Sequence, residues 1–288
     1  MNSGIILVAQ SFGHRVLTAA KGFHGHGYLM SRSEITALVQ HSGYSSLLFL
    51  DGGLGLLSVG EDEDRGCRNL LQRGLFDVGL SHNDVKVGSF FEVFLSILKS
   101  RQSMLEMRVG DPTLPNQISH WIATSQDSAS IVQTVLDDDR LKFWFAIVAS
   151  GQAKDMAMSL AEVGAIETMP TPYASGMSLT IEEFTRFVTK LRQGSRIECD
   201  RHLRRSSIND ETFQCYSEIF RRPFRSVETI LEKRDQFGLV IGQFNWLETD
   251  DHELCVYEKS ISDDRLELTT TSPRDLQTSL DRILDDFL

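Results

Sequence analysis

Four consecutive segments, SMLEMRV, NQISHWIA, ASIVQTVL and LKFWFAIV, have the length and the β-branched or aromatic content of strands. Turn chemistry separates them. Gly110-Asp111-Pro112-Thr113-Leu114-Pro115 follows the first, Ser125-Gln126-Asp127-Ser128 the second, and the acidic Asp137-Asp138-Asp139 precedes the last. Strands joined by such short polar turns pair with their chain neighbours, so this stretch predicts a four-strand antiparallel meander. FGLVIGQFNWLET, ELCVYEK and RLELTTT read as three further strands near the C-terminus.

Helical spacing fills the intervals. Glu34, Ile35, Leu38 and Val39 open a short helix that stops at Gly43, with its onset in Ser31-Arg32-Ser33-Glu34. A helix after Gly60 carries Leu70, Leu71 and Leu75 and is interrupted at its end by Gly74, and Phe90, Phe91, Phe94, Leu95 and Leu98 recur at helical spacing before Ser100. Gly151 to Val163 predicts a helix, Thr168 to Ser175 a linker, and Ser178 to Leu191 a helix with a capping pattern at Thr180-Ile181-Glu182-Glu183. More helix is expected at Asp210 to Phe220, at Ser226 to Asp235, and in a closing element from Asp275 to Leu284.

The two halves overlay at an offset of 125, since Trp121 falls on Trp246, Ile122 on Leu247, Thr124 on Thr249 and Ile131 on Val256. Asp138-Asp139-Arg140-Leu141 then falls on Asp263-Asp264-Arg265-Leu266, two tetrads that read as hairpin turns rather than acid–base pairs. The expected architecture is one α+β domain over residues 31–288, built from pseudo-symmetric halves at 31–165 and 177–288. They share a central antiparallel β-sheet flanked by helices. Residues 1–30 differ in composition, holding no acid and a Gly/His run from Gly22 to Gly27, and read as a flexible extension or as sequence preceding a start at Met30.

Composition excludes several classes. The chain has 288 residues, 41% hydrophobic and 24% charged, which is ordinary for a folded protein. Its net charge of −11 repels phosphate backbones, so nucleic acid is not expected as a partner, and no stretch approaches the roughly 18 apolar residues that span a membrane, so membrane insertion is not expected. Cys67, Cys199, Cys215 and Cys255 lie far apart with no metal-ligand spacing, and His24 and His26 sit in a glycine-rich run that reads as solvated. No metal and no cofactor are predicted.

Motifs of chemistry are weak. Asp51-Gly52-Gly53-Leu54-Gly55 lacks the Lys-Ser/Thr of a phosphate loop, and Ser96-Ile97-Leu98-Lys99 matches S-x-x-K only on an apolar helix. No HExxH or GxSxG occurs, and no catalytic residue is assigned. The basic stretch of Arg201, Arg204, Arg205, Arg221, Arg222 and Arg225 is interleaved with Asp200, Asp210, Glu211 and Glu218, which reads as a compensated helical face.

The order of elements resembles the EspG family, cytosolic chaperones associated with type VII (ESX) secretion. The resemblance rests on the opening helix SEITALVQHSG, on LLQRGLFD followed by FFEVFLSILKS, and on the tail FNWLETDDHELCVYEKSISDDRLELTTTSPRDLQTSLDRILDDF. His252-Glu253 stand where the family often has Gly-Arg. The resemblance implies a cytoplasmic, non-enzymatic protein, monomeric or weakly homodimeric. Its partner would be a helical secreted protein or heterodimer, of the PE/PPE or WXG-like kind, held soluble before export. It also implies that the substrate-contacting loop falls at Thr124, Ser125, Gln126, Asp127 and Ser128, with helical residues near Phe213 and Phe220 as further contacts. The alternatives are an enzyme with an unrecognised pocket, or an adaptor or immunity-type protein with a single protein partner.

Overall fold

The computed structural model describes residues 27–42, 61–78, 85–110, 118–137, 140–161, 176–192, 209–221, 224–249, 254–260 and 265–288. Strand β1 (Gly27–Ser31) leads into α1 (Arg32–Ser42) and α2 (Glu61–Gln72). A small hairpin, β2 (Phe76–Val78) and β3 (Val85–Val87), precedes α3 (Ser89–Lys99). The expected meander follows as β4 (Ser103–Gly110), β5 (Ile118–Thr124), β6 (Ser128–Asp137) and β7 (Arg140–Ala149), then α4 (Ala153–Ala161). The second half runs β8 (Met177–Thr180), α5 (Ile181–Arg192), α6 (Asp210–Arg221), β9 (Phe224–Asp235), β10 (Gly238–Thr249), β11 (Leu254–Ser260), β12 (Arg265–Thr271) and α7 (Pro273–Phe287).

Ten of these strands form one antiparallel sheet, ordered β1-β7-β6-β5-β4-β9-β10-β11-β12-β8, and the fold is α+β. Outward from the seam between β4 and β9, the order is β4-β5-β6-β7-β1 on one side and β9-β10-β11-β12-β8 on the other. Among the described residues, no helix is long and apolar enough to cross a membrane.

The seam depends on a strand that the sequence reading took for helix. Residues 226–235, rich in Glu, Lys and Arg, lie in β9, which pairs along its length with β10 and with β4. Val227, Thr229 and Leu231 alternate into the core and are fully buried, so two neighbouring ladders override a helix-prone composition. Arg225 correspondingly belongs to a strand and not to a compensated helical face. Two short strands also escaped the reading. Gly27–Ser31, taken as the end of an extension, pairs with β7 and buries Met30, and Met177–Thr180, taken as the start of a helix, pairs with β12.

Both short strands end in the same device. The Ser31 N–H donates to Glu34 Oε2 at 2.7 Å and the Glu34 N–H to Ser31 Oγ at 3.4 Å, while Thr180 and Glu183 exchange the equivalent bonds at 2.8 and 3.1 Å. Each pair satisfies two amides at a helix start. Thr180→Ala is expected to cost about 1 kcal/mol, read as a lowered thermal midpoint.

The helices divide between the two sheet faces. One face packs Leu105, Met107, Ile122, Ile131, Val227, Leu231 and Trp246 under α4 and α7. On the opposite face, Trp121, Val132, Phe143 and Phe145 meet α1, α2 and α3, and Leu247, Leu266 and Leu268 meet α5 and α6. Adjacent strand residues point to opposite faces, so Trp121 and Trp246 are on different sides of the sheet. The tryptophan match at offset 125 is therefore not a structural equivalence, because a slip of one residue inverts every side chain. Asp138, Asp139, Asp263 and Asp264, the glycines at 52, 53 and 55, the histidines at 24 and 26, the linker 168–175, and Arg201, Arg204, Arg205 and Arg222 lie outside the described residues.

Candidate functional site

The pairing register brings distant segments to one end of the sheet. Val148, Ala129, Thr124, Ser103, Lys233 and Val240 are successive partners across β7, β6, β5, β4, β9 and β10. With strands about 4.8 Å apart, this row is roughly 24 Å long. Just beyond it project the β5–β6 turn, the link from α3 to β4, and the β9–β10 turn.

The β5–β6 turn is the segment singled out by the sequence. Ser125 donates its N–H and its hydroxyl to the Ser128 carbonyl at 2.8 and 3.0 Å, and Ser150 donates to the carbonyls of Asp127 and Gln126 at 3.1 and 3.2 Å. Thr124 is buried, and its hydroxyl is hydrogen-bonded to that of Ser103. Of the five candidate residues only Gln126 and Asp127 are exposed. The turn is thus a braced hairpin that presents two polar side chains. Phe213 and Phe220 belong to α6, which packs over β8, β10 and β12 in the other half, and their side chains lie outside the described residues.

The sequence reading missed what stands on the same rim. Phe237 in the β9–β10 turn is 88% exposed, and Leu239, Val240 and Ile241 are 54%, 43% and 59% exposed. Gly238, at φ +138°, reverses the chain behind Phe237. β11 pairs with β10 only at Asn245–Glu248, so among the described residues no strand is paired with the outer edge of Leu239–Phe244. The result is an apolar arm, backed by β9 on its inner side. From Gln236 to Phe244 the arm carries no charge, on a chain of net charge −11. Exposed apolar residues grouped in this way make the arm a candidate interaction surface. The segment was recognised as a strand; what sequence could not supply was how little of it β11 covers.

The C-terminal helix closes the lower border. Lys233 Nζ donates to the Asp286 carbonyl, and the Phe287 ring lies over Gly242, where a Cβ would come within 2.7 Å of it. A side chain at position 242 would have to displace the ring.

Among the described residues, no group of three or more His, Cys, Asp or Glu could hold a metal ion. His120 on β5 is buried, its Nδ1 lacks a hydrogen-bond partner, and burial pushes its pKa down to about 4. Such a group makes stability depend on pH. The unfolded chain takes up the proton more readily, so stability is full above about pH 6.5 and falls as the pH drops toward 4; the gap is worth about 3 kcal/mol. His120→Leu is expected to flatten the decline between those pH values, followed by urea unfolding at each pH.

Neither a protein-family model nor a curated protein matches the chain. Among solved structures it is similar to the Mycobacterium tuberculosis type VII secretion system chaperone EspG5, in a structure of that protein in complex with a PE25–PPE41 dimer. The TM-score is 0.53 at 12% identity, covering 91% of this chain and 97% of that one. The likeness, over nearly the whole of both chains, is one of fold.

Proposed function

We propose that this chain is a cytoplasmic, non-enzymatic chaperone that holds a helical secretion protein of the PE/PPE or WXG-like kind soluble before export through a type VII system. The observation that carries the reading is the apolar arm of Phe237, Leu239, Val240 and Ile241, standing on the same rim as the Ser125–Asp127 turn. The fold's likeness to a type VII secretion system chaperone, solved in complex with a PE25–PPE41 dimer, supports it.

The physics is reversible cover. A helical hairpin with an apolar tip is prone to aggregate until its transporter takes it, and a chaperone needs a few apolar anchors inside a polar rim. Phe237 and Ile241 are the anchors. Gln126 and Asp127, fixed by the Ser150 hydrogen bonds, supply polar selection at the border. The same reading takes the strand order on the two sides of the seam as the product of a duplication, with residues 31–288 as one domain.

The test is copurification from host cytosol with mass spectrometry, repeated with Gln126→Ala/Asp127→Ala. A small helical WXG- or PPE-like protein, recovered with the parent chain and depleted with the variant, is the expected result. A solitary chain, with no protein of that class in any preparation, would refute the reading.

A further inference from the structure

We propose that the last turn of α7 sets the direction of the β9–β10 arm, with Phe287 as the positioning residue for the anchors Phe237 and Ile241. The inference rests on the reading of the arm as the partner's site, and it adds what holds that site in shape. β9 is paired with β4 as far as Lys233, whereas β10 between Leu239 and Phe244 pairs, among the described residues, with β9 alone. What lies against the face of β10 therefore matters to where the arm points.

Two consecutive residues of α7 meet the two strands at the base of the arm. The Asp286 carbonyl accepts from Lys233 Nζ on β9, and the Phe287 ring lies on Gly242 of β10. Lys233 is opposite Val240 in the ladder and Leu231 opposite Gly242, so the contacts fall on successive rows of one sheet face. Each strand of the arm has its own brace. Phe237 stands three residues past Val240, roughly 10 Å at the rise of a strand, so a tilt at the base is magnified at the tip.

The brace is itself anchored. Leu276, Leu280 and Leu284 are buried against the sheet, and Lys154 of α4 pairs with Asp281 at 2.8 Å and with Asp285. Removing the Phe287 ring leaves these attachments in place, so the loss falls on the arm rather than on the docking of the helix. Glycine weakens the interior of a strand, and at position 242 it marks the close approach of the ring. Apolar anchors held in their bound arrangement lose less freedom on association, so Phe287 raises affinity through the arm and not through a contact of its own.

The experiment is amide hydrogen exchange on the full chain, beside calorimetric titration with the protein copurified from host cytosol, for Phe287→Ala, Gly242→Ala and the double variant. Each single variant is expected to speed exchange at Gly238–Phe244 by at least about fivefold, and to weaken partner binding about tenfold. The double variant should bind no more weakly than Phe287→Ala, because a methyl group at 242 fits once the ring is gone. Gln126 and Asp127 should exchange as they do in the parent. Exchange that quickens evenly across the sheet would reduce Phe287 to a stability role and overturns the proposal, as does an arm that keeps the parental rate in both single variants. Faster exchange in the arm with parental affinity also overturns it. In those cases the partner is still captured and the secretion reading stands; if no such protein copurifies, that reading fails and takes the inference with it, so the two failures are told apart.

Discussion

Replacing Arg225 by methionine is expected to lower the unfolding free energy by about 3–5 kcal/mol. Arg225 and Glu248 are cross-strand partners on β9 and β10, and both side chains are only 9% exposed. Arg225 donates from Nε to Glu248 Oε2 at 2.8 Å, and its Nη2 donates to the same oxygen. Removing the guanidinium leaves a buried carboxylate without that compensation, which is why breaking such a pair costs more than the pair contributes. The double variant Arg225→Met/Glu248→Leu should recover most of the loss. Urea unfolding with an unchanged m-value would check both; a single variant within 1 kcal/mol of the parent would contradict the assignment.

Phe237→Asp and Ile241→Asp should each cost at least about 2 kcal/mol of affinity for the copurified partner, roughly a thirtyfold loss. The effect comes from placing a carboxylate where an apolar anchor must be desolvated. Both positions are exposed in the free chain, at 88% and 59%, so the thermal midpoint should hardly move. Calorimetric titration of the partner, run beside thermal unfolding, separates lost binding from lost fold. Unchanged affinity in both variants would remove the arm from the interface.

The contrast between the halves explains what the sequence made legible. β4 to β7 and β10 to β12 were readable because their alternation and turns are local properties. β9 was not, because its Glu, Lys and Arg residues favour helix in isolation and only pairing with β4 and β10 makes it a strand. β1 and β8 are too short to show a period, although the capping pattern at Thr180 marked the residue on which β8 ends. The tryptophan correspondence failed on a single step of register, a quantity that spacing along the chain does not contain.

Only one segment of the rim was singled out in the sequence, for the same reason. The Ser125–Asp127 turn came from a resemblance in strand order, and the structure places it on a rim. Its neighbour, the arm, is over a hundred residues away in sequence. Only the partner chain Thr124–Ser103–Lys233–Val240 brings them to one end of the sheet.

Amide hydrogen exchange on the full chain, alone and saturated with the copurified partner, addresses the central claim most directly. The account predicts new protection at Gln126–Asp127 and at Phe237–Ile241, with the outer faces of α1 and α2 unchanged. Protection confined to those helices, with the rim amides exchanging as they do in the free chain, would contradict it.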